Sequence, residues 1–410
     1  MDLKSEKIVK IIVPGSSFSN GNNETANRIL KFIDGDFNPS ILFVDDIEKE
    51  INSSSGSNSS SNSSSNSKFI KNITKIQKSN PKIKQIFLII HAYKSNAIIK
   101  KLKLEISFPV TCILILGGTD INIDLEDSIK RVKVLESLKL ADRIVSFTKC
   151  MIDKINNYTN VDVDEKSVVI KSSFQVEKIQ EEIFQPKTFL LIANFRPVKG
   201  ILLALDIWKN FIESYPNLQS CPHNSLSYQL KILGKCLDDN DYNQKVLQKI
   251  GEINCHGSHG GSIHGSIILN QNCNHQDVIE EIQKSYCVIN TSESEGMSQA
   301  LVNGMGFGKP VLAGNIEANL ELLMGLPKND DDLDQDLKSP MDPKIRYEKE
   351  DFIEIYQKDS NFYQSARLFD KILTDREYYE KLSYKSKSIV GSHHKFDDER
   401  EKYKILIEEF

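Results

Sequence analysis

The sequence predicts an α/β protein built from two doubly wound domains with parallel sheets. Three observations lead there. Short apolar runs end in Gly, Ser, Asn or charged clusters, as buried parallel strands do where they deliver their C-terminal ends to a crevice. These runs alternate with segments of helical periodicity. The alternation runs out near Phe174 and starts afresh at Phe189, so two sheets are expected, and 410 residues suffice for two domains of ordinary size.

Composition bounds the function. With 39% hydrophobic and 27% charged residues the chain is of ordinary globular type, and its net charge of -5 gives no electrostatic reason to bind nucleic acid or an anionic membrane surface. Any basic patch must be local. Seven cysteines are scattered without the rhythm of a disulfide framework, several of them inside apolar runs, which fits a reducing compartment. The run Ile8 to Val13 is broken by Lys10 and too short for a signal peptide, and no later run approaches a membrane span. A cytoplasmic protein without a transmembrane segment is expected.

The first domain is expected over 1–182. Ile8 to Val13 reads as a strand, Pro14 to Asn23 as a Gly/Ser/Asn loop, and Glu24 to Phe32 as a helix. The loop is no phosphate-binding Walker loop, because no Lys follows Gly21, and the spacing of Gly15 and Gly21 does not fit a dinucleotide fingerprint. It is a strand-helix connector or an acceptor-binding loop. Asp34-Gly35-Asp36 spells an acid-x-acid pattern but follows a helix, as a Gly-containing turn does. Ile41 to Val44 is a second strand, and 52–67, almost pure Ser and Asn, is expected to be a disordered surface insertion. Ile86 to Ile90 is a strand with His91 at its C-terminal end, followed by Tyr93 and Lys94. A histidine at that place in a parallel sheet faces the crevice. Val110 to Leu116 ends in Gly117-Gly118-Thr119-Asp120-Ile121-Asn122, where the glycines make a turn and Asp120 is expected to cap the next helix. Ala141 to Phe147 is a strand, Thr148 caps a helix through Ile155, and Val168 to Phe174 closes the sheet.

The second domain is expected over 183–390, after a linker from Gln175 to Lys187. Phe189 to Ala193 is its first strand. Asn194 to Gly200 follows, then a helix, Ile201 to Ile212, with Leu202, Leu205, Trp208 and Phe211 at helical spacing. Arg196 and Lys199 flank that helix start, where the macrodipole disfavours cations. A bound diphosphate resolves the conflict. Leu230 to Leu233 is a strand, Tyr242 to Ile250 a helix, Ile267 to Leu269 a strand and Asp277 to Lys284 a helix. The His- and Cys-bearing stretch Cys255 to His264, with Cys273 and His275 beyond it, has zinc-binding residue types in a spacing that fits no standard site, so no metal is expected.

The whole chain is organised around Tyr286 to Leu323. Cys287 to Asn290 is a buried strand that stops at the polar cluster Thr291 to Glu295. Gly296 lets the backbone turn, a helix starts near Ser298 and ends near Gly308, and Val311 to Ala313 is the next strand. Free N–H groups of Gly296, Met297 and Ser298 at a helix start suit an anion such as a diphosphate. Glu295 beside them accepts hydrogen bonds from sugar hydroxyls and repels a phosphate placed on it. A phosphate and a polyol are therefore expected side by side. Beyond this stretch, 329–336 is an acidic solvated loop, Phe362 to Leu373 and Tyr378 to Val390 are helices, and Asp397 or Asp398 caps a last helix with Tyr403, Leu406 and Phe410 on one face.

Ser294-Glu295-Gly296-Met297-Ser298, Gly308-Lys309-Pro310-Val311-Leu312-Ala313 and Asn315-Ile316 together resemble the donor-binding signature of the retaining glycosyltransferases of the group 1 domain type. The narrower match is to the glycosyltransferase 1 domain-containing subfamily, which Gly21-Asn22, Thr25-Ala26, Arg28 and Gly117 to Asn122 also resemble. The resemblance implies the GT-B architecture, two Rossmann-like domains facing a cleft, with a C-terminal helix in 391–410 returning to the first. It also implies a nucleotide-diphosphate sugar as donor, an unidentified acceptor, and no cofactor. Catalytic roles fall to Glu295, at the donor sugar, and to His91 beside it. Arg196, Lys199, Gly296, Met297 and Ser298 hold the diphosphate, and Gly21, Asn22, Thr119 and Asp120 face the acceptor. The family pattern has a second Glu, eight positions after the first, on the nucleotide ribose; here that position is Asn303, a neutral hydrogen-bonding group. A nucleotide-sugar-binding protein without turnover is the rival that Asn303 motivates. A nicotinamide-dependent oxidoreductase lacks a Gly-x-Gly-x-x-Gly after any strand.

Overall fold

A computed structural model describes residues 7–15, 21–53, 68–159, 163–174, 187–214, 228–236, 241–257, 265–325, 346–353 and 362–410. The chain forms two compact units, Met1–Lys171 with Asp397–Phe410, and Ser172–Phe396. The expected divisions were 182/183 and 390/391. The Ser/Asn tract lies almost wholly outside the described residues, as do the linker over 175–186, His259, His264 and the acidic run 329–336.

The first unit runs β1 (Lys7–Val13), α1 (Gly21–Ile33), β2 (Ser40–Phe43), α2 (Val44–Ser53), α3 (Lys68–Ser79), β3 (Lys84–Ile90) and α4 (Asn96–Lys100) with a π-helical turn (Lys101–Glu105). It continues through β4 (Thr111–Ile115), a second π-helical turn (Asp120–Asp124), α5 (Ser128–Leu140), β5 (Arg143–Ser146), α6 (Lys149–Tyr158) and β6 (Ser167–Val169). The six strands form one parallel sheet in the order β2-β1-β3-β4-β5-β6. Ile12 pairs with Leu42 on one side and Ile89 on the other, so the strand order reverses at β1. β3 and β4 are buried along nearly their whole length, which explains why they read as continuous apolar runs rather than alternating ones.

The second unit runs β7 (Lys187–Ile192), α7 (Ile201–Ser214), β8 (Tyr228–Leu233), α8 (Asp241–Gly257), β9 (Ser266–Asn270), α9 (His275–Lys284), β10 (Cys287–Asn290), α10 (Gln299–Gly306), β11 (Val311–Ala313), α11 (Glu317–Met324), α12 (Tyr363–Thr374) and α13 (Arg376–His393). Its parallel sheet has the order β11-β10-β7-β8-β9, so the order reverses between β7 and β10. Trp208 of α7 is fully buried among Phe189, Phe211, Tyr228 and Phe369, and its indole N–H donates to the Gly265 carbonyl at 2.9 Å. A fully buried indole is tolerated because that donor is satisfied.

The last helix, α14 (Phe396–Glu408), belongs to the first unit. Tyr403 stacks on Phe32 with centroids 6.1 Å apart, and Arg28 pairs with Glu399 at 3.1 Å. Lys7 donates to the carbonyls of Ile407 and Glu408, a cation at the helix C-terminus where the dipole favours it.

Three local expectations change. Asp127, not Asp120, caps α5, accepting from the N–H groups of Ile129 and Lys130. Thr148 stands at the N-cap of α6, but its side chain makes no capping bond. The sixth strand stops at Val169, and Phe174 forms only an isolated bridge with Lys395. Among the described residues no helix is long and apolar enough to cross a membrane.

Candidate functional site

In open parallel sheets, ligands bind at the carboxyl ends of the strands where the strand order reverses. Each unit places its polar cluster there.

In the second unit the reversal lies between β7 and β10, and the loops that follow these strands are stitched together. Gly200 takes the left-handed conformation, φ +60°, and lies against the carbonyl of Thr291. The Thr291 hydroxyl donates to the Gly200 carbonyl at 3.0 Å, and the Glu293 N–H donates to the Val198 carbonyl at 2.9 Å. This stitching brings Lys199 and Glu295 together, with Nζ 2.7 Å from Oε1. Asn290, the last residue of β10, donates through Nδ2 to Glu295 Oε1 and to Ser298 Oγ, each at 3.2 Å. Burial pushes the Glu295 carboxyl up, but the Lys199 charge and the hydrogen bonds from Lys199, Ser292 and Asn290 outweigh it, and the net shift is downward. Glu295 is therefore a carboxylate at neutral pH, with its charge offset by the lysine.

Arg196 opens the 3₁₀ turn Pro197–Lys199 of the same loop, half-buried, and among the described residues its guanidinium has no ion-pair or hydrogen-bond partner. The first N–H of α7, that of Ile201, is used by the Tyr242 hydroxyl at 3.2 Å. At α10 the side chain of the N-cap residue Ser298 makes no capping bond. The first-turn N–H groups of Ser298, Ala300 and Leu301 have no acceptor within the helix. Gly296 and Met297, expected to be part of that terminus, lie in the approach loop before it.

Asn303 is on the second turn of α10, 9% exposed, and its Oδ1 accepts from Gln299 Nε2 at 2.9 Å. Gln299 also donates to the Ser173 carbonyl at 3.0 Å. Sequence reasoning missed Gln299 and Asn290. The available signal was their placement one turn before Asn303 and at the strand terminus.

In the first unit, His91 directly follows β3 with φ +74°, a left-handed backbone that a non-glycine residue rarely adopts and that clusters at functional sites. Its Nδ1 accepts from the Lys94 N–H at 3.4 Å and lies 3.8 Å from Asp120 Oδ2, while Nε2 lies 3.9 Å from Asp124 Oδ2. Asp120 is fully buried and ties two loops together. Its Oδ2 accepts from the N–H groups of Ala92, after β3, at 2.7 Å and of Gly117, after β4, at 3.1 Å. Burial pushes its carboxyl up to about 7, against the lowering effect of those two N–H groups; Asp124 adds to the rise. A Cβ on Gly117 would lie 3.5 Å from Asn22 Oδ1, 3.8 Å from His91 Cδ2 and 3.9 Å from Asp120 Oδ1. Gly117 therefore leaves open a small polar space that these three side chains share. Gly21 is exposed in the first turn of α1, and Thr119 is half-buried ahead of the π-helical turn.

Asp34-Gly35-Asp36 is a turn after α1, with Gly35 at φ +86° and Asp36 paired to Lys404 at 2.5 Å. Among the described residues no group of three or more His, Cys, Asp or Glu side chains is arranged to hold a metal ion.

Two doubly wound parallel-sheet units, each with polar side chains gathered where its strand order reverses, define the GT-B glycosyltransferase fold. No family model matches the chain. It is similar to glycosyltransferase 1 domain-containing protein 1 of Xenopus tropicalis, 24% identical over 310 residues, which cover 72% of this chain and 74% of that protein. Among solved structures, HepE (Alr3699) of Anabaena in complex with UDP-glucose superposes with a TM-score of 0.64 at 12% identity, covering 98% of this chain and 100% of that one. The trehalose-6-phosphate synthase OtsA gives 0.66 at 11% identity, with 98% and 99% covered. A TarM variant of S. aureus, in complex with fondaparinux, α-GlcNAc-glycerol and UDP, gives 0.57 at 13% identity and 79% of this chain, which spans only 55% of TarM.

Proposed function

We propose that this protein is a cytoplasmic, metal-independent glycosyltransferase that moves a sugar from a nucleotide-diphosphate donor to an acceptor hydroxyl with retention of anomeric configuration. The observation that carries the proposal is the Lys199–Glu295 pair at the β7/β10 reversal, with Arg196, in the same loop as Lys199, having no partner for its guanidinium among the described residues. A lone carboxylate there repels a diphosphate. With Lys199 on it, Glu295 is neutralised and keeps oxygen lone pairs for sugar hydroxyls, and Arg196 adds uncompensated positive charge for the phosphates. HepE, of the same fold, is seen with UDP-glucose, which supports a nucleotide-sugar donor.

No carboxylate of the site stands out as a nucleophile, so transfer is written as a same-face displacement. The bond from the anomeric carbon to the diphosphate oxygen breaks as the bond to the acceptor oxygen forms, and the acceptor proton passes to the departing phosphate. Arg196, Lys199 and the first turn of α10 stabilise the charge that develops on the leaving group. Glu295 holds the sugar, and Asn303 holds a ribose hydroxyl. The family resemblance assigns His91 to the sugar and Gly21, Asn22, Thr119 and Asp120 to the acceptor.

The test is calorimetry of nucleotide sugars and nucleoside diphosphates against wild type, Arg196→Ala and Lys199→Ala, with donor turnover followed before and after exhaustive chelation. Each substitution is expected to weaken diphosphate binding, and chelation to leave turnover intact. Unchanged binding in both variants removes the clamp, and turnover that EDTA abolishes and manganese restores removes metal independence.

A further inference from the structure

Between Glu50 and Glu105 the chain holds ten lysines, no arginine and no acidic residue, in a protein whose net charge is -5. Four of the ten, Lys68, Lys71, Lys75 and Lys78, are on α3 at spacings of three, four and three. At 100° per residue they fall within an arc of roughly 80°, over about 15 Å of helix. All four are exposed, and Lys82 is exposed just beyond the helix. The opposite face carries Phe69, Ile70 and Ile73, which are buried in the core of the first unit.

What distinguishes this stripe is the lack of partners. Lys100, Lys101 and Lys103, further along the same acid-free run, are matched by Glu136, Glu105 and Asp142. None of the α3 lysines has an ion-pair or hydrogen-bond partner among the described residues. A solvated helix face in an acidic protein gains stability from i,i+4 acid-base pairs, and this face makes none of them. The like charges repel one another, and a polyanion lying against them relieves that repulsion.

We infer that the exposed face of α3 holds the protein against an anionic lipid surface. The residue types favour lipid over nucleic acid. A nucleic-acid interface draws on arginine for bidentate contacts and on exposed aromatic rings for stacking, and this face has neither. Four evenly spaced ammonium groups on a straight helix match a plane of diffuse charge. Because the apolar face of α3 is committed to the core, the helix does not insert, so adsorption is electrostatic alone and screened by salt. This inference does not depend on the glycosyltransferase proposal, and its readout is separate from nucleotide-sugar binding.

The test is flotation of the full chain with vesicles of phosphatidylcholine alone and of phosphatidylcholine and phosphatidylserine in equal parts, at low and high salt. Each lysine close to such a surface strengthens binding roughly fivefold. Wild type is expected to float only with the anionic vesicles and to be released by salt. The variant with Lys68→Gln, Lys71→Gln, Lys75→Gln and Lys78→Gln is expected to lose binding by a few hundred-fold on the same scale, and the corresponding four-arginine variant to retain it. All four side chains are exposed, so an unchanged urea midpoint is expected to show that the glutamine variant is folded. The inference is overturned if wild type stays with neither vesicle, floats equally with both, or binds as before once the four charges are gone. Binding of a single-stranded or duplex RNA at protein concentrations below those needed for anionic vesicles overturns it in favour of nucleic acid.

Discussion

The α-carbon of Gly200 lies so close to the Thr291 carbonyl that a methyl group on it collides with the carbonyl oxygen and carbon. Gly200 also has φ +60°. Alanine in the left-handed region costs about 1–2 kcal/mol on its own, and displacement of Thr291 adds to that. Gly200→Ala is therefore expected to lower the urea midpoint and, by moving the two loops apart, to break the contact of Lys199 with Glu295. Nucleotide-sugar affinity is expected to fall with stability. An alanine variant of wild-type stability and affinity contradicts the coupling between these loops.

Glu295→Gln separates sugar contact from phosphate contact. The amide keeps a hydrogen-bond acceptor for the proposed donor sugar but leaves Lys199 without its carboxylate. Nucleoside diphosphate affinity is expected to hold or rise, while turnover falls by at least an order of magnitude, the pattern of an interaction made in the transition state. The variant also changes acid stability. The folded Glu295 carboxyl lies below its ordinary value, so its contribution is present above about pH 4.3 and is lost as pH falls through the depressed value. Wild type is expected to lose more stability than Glu295→Gln on acidification below about pH 4. Parallel curves for the two contradict the assignment.

Asp120 has the opposite sign. Its folded carboxyl is pushed up to about 7 by burial, so the stability it provides is complete below its ordinary value near 4 and is lost as pH rises through 7. His91, at 3.8 Å, and Asp124, paired to Lys130 at 2.9 Å, face the same space, so the diagnostic quantity is a difference between variants. Asp120→Asn keeps an acceptor for the Ala92 and Gly117 N–H groups and removes the proton. Across pH 4–7, wild type is expected to lose about 1.4 kcal/mol per pH unit relative to Asp120→Asn. Asp120→Ala strands both N–H groups, at about 1–3 kcal/mol each, at every pH. A flat difference between wild type and the asparagine variant contradicts the raised value.

The elements that the sequence shows clearly are those with one dominant period or one sharp boundary. Cys287–Asn290 and Val311–Ala313 have the expected bounds because each is a fully buried run stopped by polar or Gly-Pro residues. Trp208 and Phe211 give α7 a clean apolar stripe. α5 does not, because Ile129 and Val132 are 82% and 67% exposed and fill in the polar face that would mark the period. α3 hides behind the Ser/Asn tract and is too lysine-rich to read as core. In the site, residue types at strand ends were legible, since a parallel sheet delivers them to one edge. The pairing of Lys199 with Glu295, 96 positions apart, depends on β7 and β10 being neighbours, which sheet order alone decides. The role of Asp120 was obscured because a cap and a buried tie between loops use the same residue type after the same Gly-Gly turn.

Asn303 is where this chain departs from the pattern it resembles, and the structure shows what the neutral residue does there. Its Oδ1 accepts from Gln299 Nε2, so the side chain is already oriented on α10 and shares its acceptor oxygen with a neighbour. A carboxylate at this position keeps that bond and has a second oxygen for a ribose hydroxyl. A charged acceptor is worth roughly 1 kcal/mol more than a neutral one, so Asn303→Glu is expected to raise nucleotide-sugar affinity about five- to tenfold. Turnover at saturating donor is expected to change little, because the ribose is held alike in ground and transition states. Gln299→Ala is expected to lower affinity in wild type by freeing Asn303 to rotate, and to matter less once Glu stands at 303. The measurements are calorimetric affinity and donor hydrolysis to water for the three variants and wild type. If Asn303→Glu leaves affinity unchanged, the ribose lies elsewhere; if wild type and Asn303→Glu both bind a donor tightly and neither turns it over, the protein binds nucleotide sugars without transferring them.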